Sequence, residues 1–238
     1  MRLDKLLAQS GYKSRNQVKK LLKSQQIKVD GQVIRSASHN VDTGLQVITV
    51  SGKQLCHSPH TYYLMNKPAG VVSARSDEEH QTIIDLIAKE DWVEGLYPVG
   101  RLDRDTEGLV LITDNGPLGF RMLHPNNHVA KTYYVEVNGP LLEDAMSFFE
   151  QGIAFLDGPV CKPAKLQILH SSSEKSAAHL TISEGKFHQV KKMFLAYGVK
   201  VTYLKRLTFG GFTLEEQLSP GAYRSLTDDE KALIKSYF

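Results

Sequence analysis

The sequence predicts an α+β protein, in which a small basic N-terminal module precedes a larger body with a mixed, largely antiparallel sheet flanked by helices. Helix and strand patterns are interspersed over residues 61–238 without the even β-α-β spacing of a doubly wound parallel sheet. The charge also changes near residue 60. Residues 1–60 contain ten Lys or Arg and three acidic residues, whereas residues 61–238 contain nineteen and twenty-three. A chain of 238 residues is long enough for two domains with separate cores.

The N-terminal module, residues 1–60, is predicted to consist of two short helices and two hairpins. Leucines spaced i, i+3 and i+4 give the first helix, which ends at Gly11. Ser14 and Gln17 form the capping-box pattern that begins the second helix. The apolar stripe of that helix consists of Val18, Leu21 and Leu22. The Asp-Gly and Ser-Gly pairs that follow predict two tight turns between short strands, and residues 56–60 (CHSPH) are the predicted linker.

The first half of the body is predicted to contain three strands and one helix. Residues 61–73 form a strand, a Pro-Ala-Gly turn at 68–70 and a second strand. Isoleucines at 83, 84 and 87 favour a short helix over residues 82–90. GLVLIT is a continuous apolar run of strand length, which indicates a strand buried on both faces and closed by an Asn115-Gly116 turn.

The second half of the body alternates strands with longer helices. KTYYVEV alternates apolar and polar residues and predicts a half-buried strand, and LEDAMSFFEQG predicts a helix that ends at Gly152. The segment from Ser176 runs through a strand and a glycine turn into a helix that stops at Gly198. VTYLKRLTFGGFTL then returns to strands.

Several kinds of site have no support in the sequence. There is no GxxxxGK[ST] or GxGxxG loop for a nucleotide cofactor, and no GxSxG or cysteine nucleophile signature. His124 and His128 are separated by Pro125 and two asparagines, which favours a loop over a helical zinc pair. The two cysteines, Cys56 and Cys161, form no disulfide framework, and no apolar run resembles a signal peptide or membrane span. We therefore expect a cytoplasmic protein without a metal.

The loop GRLDRDTEGL places five charged residues directly before the buried strand. It is either a solvated turn or a loop that presents a carboxylate at the rim of a cleft. Gly100 and Gly108 bracket the turn, and a loop aimed by a rigid strand is a common place for a catalytic side chain. Asp103 is therefore the candidate catalytic carboxylate, ranked above Asp105 and Glu107.

The basic module resembles a known RNA-binding family. The segments RLDKLLAQSGYKSR and IKVDGQVI are similar to the S4 RNA-binding domain, and the similarity covers nearly all of residues 1–60. A run of lysines is often only a solvated helix surface, but the local excess of positive charge favours contact with RNA phosphates. The resemblance implies an RNA-facing surface lined by Arg2, Lys5, Ser14, Arg15, Lys19, Lys20 and Lys23.

Four ordered segments of the body resemble the motifs of the pseudouridine synthases. GRLDRDTEGL is similar to the catalytic motif, whose essential aspartate falls on Asp103, and KTYYVEV is similar to the motif whose active-site tyrosine falls on Tyr133. EGKFHQVKKMF is similar to the last motif, which implies that Lys191 pairs with the aspartate. Many relatives carry arginine there, so a bidentate pair becomes a point-charge pair. NKPAGVVS is similar to a Lys-Pro-x-Gly motif, which implies that Lys67 binds substrate.

With the S4-like module in front, the whole chain resembles the branch of this family that acts on ribosomal RNA. EGKFHQVKKMF and LKRLTFGGFTL are most similar to the corresponding segments of enzymes that modify small-subunit ribosomal RNA. This resemblance implies isomerisation of uridine 516 of 16S rRNA without a cofactor. We expect the enzyme to be a monomer. Asp103 would act as nucleophile at C1′, at C6 or through a glycal. Tyr133 would pack on the uracil and relay the C5 proton, and Arg101 would fill the space left by the flipped base or meet a phosphate.

Three alternatives remain open at this point. The chain could be a non-catalytic S4-type RNA-binding or ribosome-assembly factor, or a pseudouridine synthase that acts on 23S rRNA. It could also be an RNA glycosidase, although glycoside hydrolysis uses two carboxylates and only Asp103 has a supporting motif. Analysis of the RNA product distinguishes them. A pseudouridine synthase leaves an isomerised uridine, a non-catalytic factor leaves the RNA unchanged, and a glycosidase leaves an abasic site.

Overall fold

Two hydrogen-bonded sheets organise the computed structural model, which describes residues 1–12, 14–57, 60–155, 158 and 160–238. The first sheet has four strands and the second has nine. The first is formed entirely before residue 55, and the second begins at residue 62. The first sheet packs on one hydrophobic cluster, and the second lies between two others.

The first unit consists of two helices over a small antiparallel sheet. Its helices are α1 (Leu3–Gln9) and α2 (Arg15–Lys23), and its strands are β1 (Ile27–Val29), β2 (Gln32–Val33), β3 (Ile48–Val50) and β4 (Lys53–Gln54). The strand order is β2-β1-β3-β4. The two predicted hairpins are confirmed, because Asp30, Gly31, Ser51 and Gly52 all have the positive φ of tight hairpin turns. The predicted capping box is wrong: Ser14 is the N-cap residue, but its exposed side chain makes no cap hydrogen bond.

The second unit is a mixed sheet, as predicted. Its helices are α3 (Gly116–Leu123), α4 (Asp144–Glu150), α5 (Gln189–Tyr197) and α6 (Asp228–Lys235). Its strands are β5 (Tyr62–Lys67), β6 (Tyr97–Val99), β7 (Glu107–Thr113), β8 (Lys131–Val137), β9 (Lys165–His170), β10 (Ser176–Ile182), β11 (Val201–Phe209), β12 (Phe212–Thr213) and β13 (Tyr223–Ser225). The main strand order is β13-β5-β7-β11-β8-β10-β9, with β6 paired to β7 and β12 to β11. Only the β7–β11 pair is parallel among the described strands.

Helices cover both faces of this second sheet. Val110 and Ile112 of β7 belong to a cluster with residues of α4 and α5, whereas Leu109 and Leu111 belong to a cluster with residues of α3 and α6. Because successive side chains of a strand point to opposite faces, a strand covered on both sides is apolar throughout. This arrangement confirms the prediction made for GLVLIT.

Three local predictions are wrong. Residues 82–90 form bends and turns rather than a helix. Thr82 and Asp85 exchange the reciprocal hydrogen bonds of a helix start, but the helix does not continue, because the Ala88 amide donates to the Tyr223 hydroxyl at 3.0 Å instead of to the Ile84 carbonyl. The second strand after the 68–70 turn is only a single bridge between Val72 and Thr82. Asn115 does not form a simple turn but caps α3, its side chain accepting from the Leu118 amide.

Polar contacts fasten the first unit to the second. Tyr62 donates its hydroxyl hydrogen bond to the buried Asp42 and accepts one from Asn115 at 2.8 Å. His60 contacts the Asp114 carboxylate at 2.8 Å and the N-terminal amine at 3.0 Å. We propose that the domain boundary lies at residues 56–60, of which Ser58 and Pro59 fall outside the described residues. His60 and Tyr62, at the C-terminal side of this boundary, thus each contact both units.

Replacing Asp42 by alanine should lower the free energy of unfolding by about 1–3 kcal/mol, because the Tyr62 hydroxyl would lose its buried acceptor. Burial, reinforced by Asp42, raises the pKa of Tyr62, so this hydroxyl stays protonated and donates. Urea unfolding of the full chain measures the change. In a Tyr62→Phe background the effect of Asp42→Ala should shrink; equal effects in both backgrounds would mean that the two side chains are not coupled.

Candidate active site

The loop that carries Asp103 is held on both sides by buried side chains. The hydroxyl of Ser73 donates to the Leu102 carbonyl at 3.0 Å and accepts from the Leu102 amide at 3.1 Å. On the other side, the Lys67 ammonium donates to the carbonyls of Arg104 and Thr106 at 3.1 and 2.8 Å. The backbone around Asp103 is thereby fixed before any ligand binds, which is what a catalytic carboxylate requires.

Lys67 is a structural brace and not a substrate-binding residue. Its side chain is fully buried, and its third hydrogen bond goes to the Pro68 carbonyl at 3.0 Å. With all three donors directed at backbone carbonyls, the ammonium cannot also reach RNA. Burial lowers the pKa of Lys67 to about 8. The prediction that Lys67 contacts substrate is therefore corrected: it positions the Asp103 loop from below.

Lys191 lies in the first turn of α5 and pairs with two carboxylates. Its ammonium nitrogen is 3.0 Å from Asp103 Oδ2 and 2.6 and 2.9 Å from the two oxygens of Asp105. The sequence predicted the first contact and missed the second. The Asp105 side chain is 72% exposed, whereas Asp103 is 27% exposed and lines the pocket described below. The exposed Asp105 thus pairs, from the solvent side, with the same Lys191 ammonium that pairs with Asp103.

Lys191 and Asp105 stabilise each other's charged forms. Partial burial opposes the charge on Lys191, but hydrogen bonds to Asp105 and Asp103 outweigh it and raise the Lys191 pKa. For Asp105, partial burial is likewise outweighed by Lys191, and the pKa of the carboxyl is lowered. His188 lies near the other oxygen of Asp103, with Nε2 3.6 Å from Oδ1. Sequence reasoning did not identify His188.

A pocket of about 600 Å³ opens beside Asp103. Its lining combines the Asp103 loop, the end of α3, the segment 182–188 with the start of α5, the first half of β8 and the middle of β11. Tyr133 and Lys191, both predicted from the sequence, line the same pocket as Asp103, and the exposed Arg101 lies at its rim. A pocket of this volume suits a small-molecule-sized group such as a nucleoside.

Arg206 is a pocket residue that the sequence reasoning missed. It is the direct cross-strand partner of Tyr133 and is only 1% exposed. Its Nε donates to the Leu109 carbonyl at 2.7 Å. Burial lowers the pKa of Arg206, and the interaction of its guanidinium with the Tyr133 hydroxyl opposes this shift. The sequence feature that could have identified Arg206 is its position two residues after Leu204, on the same face of the strand as this buried leucine.

The predicted RNA surface of the first unit is exposed but not uniform. The side chains of Lys5, Ser14, Arg15, Lys19, Lys20 and Lys23 are all exposed. Lys19 and Lys23 line a shallow depression together with Arg35. Arg2 is already paired with Asp4 at 2.7 Å, so its charge is partly neutralised. The Val18 and Leu22 side chains of α2 are buried, which turns its lysines outward.

Neither a membrane-spanning helix nor a metal site is found among the described residues. In the described ranges no helix is long and apolar enough to cross a bilayer, and no group of three or more His, Cys, Asp or Glu side chains could hold a metal ion. His124 and His128 lie at a short turn after α3, as predicted.

Comparisons with known proteins agree with this arrangement. Residues 61–196 match the model of the RNA pseudouridylate synthase family, and residues 1–47 match the S4 domain. The chain is 43% identical to an uncharacterized RNA pseudouridine synthase of Bacillus subtilis, YtzG, over 98% of both chains. It is 37% identical to the ribosomal small subunit pseudouridine synthase A of Escherichia coli, over 98% of this chain and 100% of that one.

A solved pseudouridylate synthase has a TM-score of 0.68 to this structure at 35% identity, covering 98% of this chain and 99% of that one. The match extends over both the S4 unit and the unit that carries the pocket. The chain belongs to the RNA pseudouridylate synthase family, the isomerases that convert uridine to pseudouridine, and carries an N-terminal S4 domain.

Proposed function

We propose that this protein isomerises one uridine of 16S ribosomal RNA, the one numbered 516, with Asp103 as nucleophile. The observation that carries the proposal is the Asp103–Lys191 ion pair of 3.0 Å at the wall of a pocket that also contains Tyr133. The choice of small-subunit RNA rests on relatives named small subunit pseudouridine synthase A at 37–38% identity over nearly the full length.

The reaction breaks the bond from uracil N1 to ribose C1′ and forms a bond from C5 to C1′. Asp103 supplies a carboxylate that attacks C1′ or C6 or assists glycal formation, and the Lys191 ammonium lies 3.0 Å from it as its counter-charge. The C5 proton must then leave and N1 must gain one, so atoms and charge balance without a cosubstrate. The Tyr133 hydroxyl is the group we assign to the C5 proton, with the ring as the packing surface for uracil.

RNA binding is divided between the two units in this proposal. Arg101 stands exposed at the pocket rim, where it can meet a phosphate or occupy the space of the flipped uridine. The exposed lysines of α2 supply contacts to the RNA backbone that position the enzyme without reading sequence. We further propose that the enzyme acts as a monomer in the cytoplasm, on naked RNA or on an assembling small subunit.

Replacing Lys19, Lys20 and Lys23 together by glutamine should weaken RNA binding without unfolding the S4 unit, since Val18 and Leu22 are untouched. The slope of log affinity against log salt should become shallower by about 0.7–0.9 for each phosphate that the protein no longer neutralises. Filter binding at several salt concentrations measures this slope. Changing Lys89, Lys165 and Lys200 of the second unit to glutamine provides the charge-matched control. An unchanged slope in the α2 variant would make these lysines solvated surface only.

Product analysis on separate 16S and 23S rRNA transcripts tests the proposed activity. Enzyme and RNA are incubated, the RNA is digested to nucleosides, and the products are separated. The proposal predicts pseudouridine in place of one uridine. Unchanged uridine would favour a non-catalytic assembly factor, an abasic site would favour a glycosidase, and modification only of 23S rRNA would move the substrate to the large subunit.

A further inference from the structure

Two buried cations in the pocket wall have no carboxylate partner among the described residues. Lys131 is 8% exposed and Arg206 1% exposed, and both line the pocket that contains Asp103 and Tyr133. Neither takes part in an ion pair within 4 Å in the described part of the chain, whereas Lys191 in the same pocket has two. A buried charge that lacks a counter-charge is costly, so these two residues call for a functional explanation.

The two cations share one aromatic ring. The Lys131 ammonium is 5.5 Å from the centre of the Phe209 ring, and the Arg206 guanidinium carbon is 5.0 Å from it. Arg206 is further held by the Leu109 carbonyl at 2.7 Å and the Gly100 carbonyl at 3.4 Å. These contacts compensate its charge through dipoles and a ring face rather than through an anion.

Lys131 has donors that are not used by the described residues. Within that part of the chain its ammonium makes one hydrogen bond, to the Val129 carbonyl at 2.9 Å, while an ammonium can donate three. Lys131 begins β8 two residues before Tyr133, and the alternation of β8 places both side chains on the same face of the sheet. Free donors at the pocket wall beside the predicted uracil-packing tyrosine are placed to meet an atom of the bound base.

We propose that Lys131, backed by Arg206, binds a carbonyl oxygen of the target uracil and stabilises the negative charge that the ring acquires when it separates from the ribose. The proposal rests on the isomerisation described above and commits to the routes in which N1–C1′ cleavage precedes C5–C1′ bond formation.

In those routes the electron pair of the N1–C1′ bond stays with the ring, so the detached uracil is an anion delocalised over its nitrogens and carbonyl oxygens. Where Asp103 has attacked C1′, C5 then displaces the Asp103 carboxylate, so the C5–C1′ bond forms as the Asp103–C1′ bond breaks; in the glycal route, C5 adds to C1′ and the proton taken from C2′ is returned. The C5 proton is then lost while N1 gains a proton. The negative charge on the ring exists only after the N1–C1′ bond has broken and before the C5–C1′ bond has formed. Fixed cations aimed at that position therefore accelerate the reaction without tightening the binding of uridine.

The test uses single-turnover tritium release from RNA labelled at C5 of uridine, with the full chain in excess. Lys131→Gln should lower the rate constant about 100-fold, the cost typical of removing one donor that faces developing charge. RNA affinity, measured in an Asp103→Asn background so that no turnover occurs, should change less than about threefold. Lys205→Gln is the matched control, because Lys205 precedes Arg206 on β11 and does not line the pocket.

The pH dependence separates a charge role from a packing role. Burial, reinforced by Arg206 and opposed by Glu184, lowers the pKa of Lys131 to about 8. The wild-type rate should therefore fall as pH rises through about 8, as the ammonium loses its charge. Lys131→Arg keeps a permanent cation and should remove this alkaline limb.

Each failure has a distinct reading. Absence of tritium release from the wild-type protein would overturn the proposed function itself. Wild-type release with Lys131→Gln within threefold of it would overturn only the present inference. An alkaline limb that persists in Lys131→Arg would also overturn it and would assign the titration to another group, such as Lys67, whose pKa is lowered to a similar value.

Discussion

Asp103→Asn abolishes isomerisation and leaves RNA affinity nearly unchanged; this is the largest effect we expect. The amide preserves the shape of the side chain and the braced loop around it, but it is neither a nucleophile nor an anion. A loss of more than about 10³-fold is expected, because nucleophile substitutions in other enzymes cost that much or more. Tritium release from C5-labelled uridine measures turnover, and filter binding measures affinity.

Asp105→Asn is the matched control for this prediction. Asp105 bonds the same lysine at shorter distance but is mostly exposed and does not line the pocket. Its replacement should reduce the rate constant by less than about tenfold, because Lys191 still pairs with Asp103. Should Asp105→Asn be as inactive as Asp103→Asn, or Asp103→Asn turn over within tenfold of wild type, the assignment of the nucleophile is wrong.

Lys191→Met is expected to have the second largest effect, a loss of roughly 100-fold in the single-turnover rate constant. The substitution keeps the length and apolar stem of the side chain but removes the only cation within 4 Å of both carboxylates in the described residues. Two neighbouring carboxylates without their shared cation repel each other, which favours protonation of one of them and raises its pKa. The activity profile should therefore shift to higher pH.

Lys191→Arg separates charge from geometry. A guanidinium restores the positive charge and can engage a carboxylate in bidentate fashion, so most of the activity should return. The measurement is the rate constant as a function of pH for wild type, Lys191→Met and Lys191→Arg. A Lys191→Met enzyme with an unshifted profile and a wild-type rate would reduce Lys191 to a helix-surface residue.

The sequence predicted the elements whose patterns are set locally. Alternation in KTYYVEV, the apolar run GLVLIT and the glycine at position 198 each indicated the observed strand or helix end, because burial on one or two faces and a left-handed C-cap are local requirements. The helix predicted over 82–90 failed because the isoleucine spacing indicates only burial, which the turns of this segment also provide. The Ala88 amide donates to Tyr223, a partner distant in the chain that local patterns do not show.

For the candidate active site too, only residues within local sequence motifs could be predicted. Asp103, Tyr133 and Lys191 were predicted from motif similarity, and they line one pocket. What sequence reasoning could not supply was the tertiary role of residues whose partners are distant in the chain. Lys67 appeared within a motif and was taken as a substrate contact, yet its ammonium meets backbone carbonyls at positions 104 and 106. Arg206 was seen only as part of a strand, because nothing local indicates its cross-strand contact with Tyr133.

Mapping pseudouridines in small-subunit RNA from cells that lack the gene tests the proposal that this protein makes pseudouridine at one position of 16S rRNA. The cells are complemented with wild type or with Asp103→Asn, and pseudouridine is detected by chemical modification and primer extension. We expect a single pseudouridine, at position 516, that is present with wild type and absent with Asp103→Asn. A 16S map that is identical in both strains would contradict it.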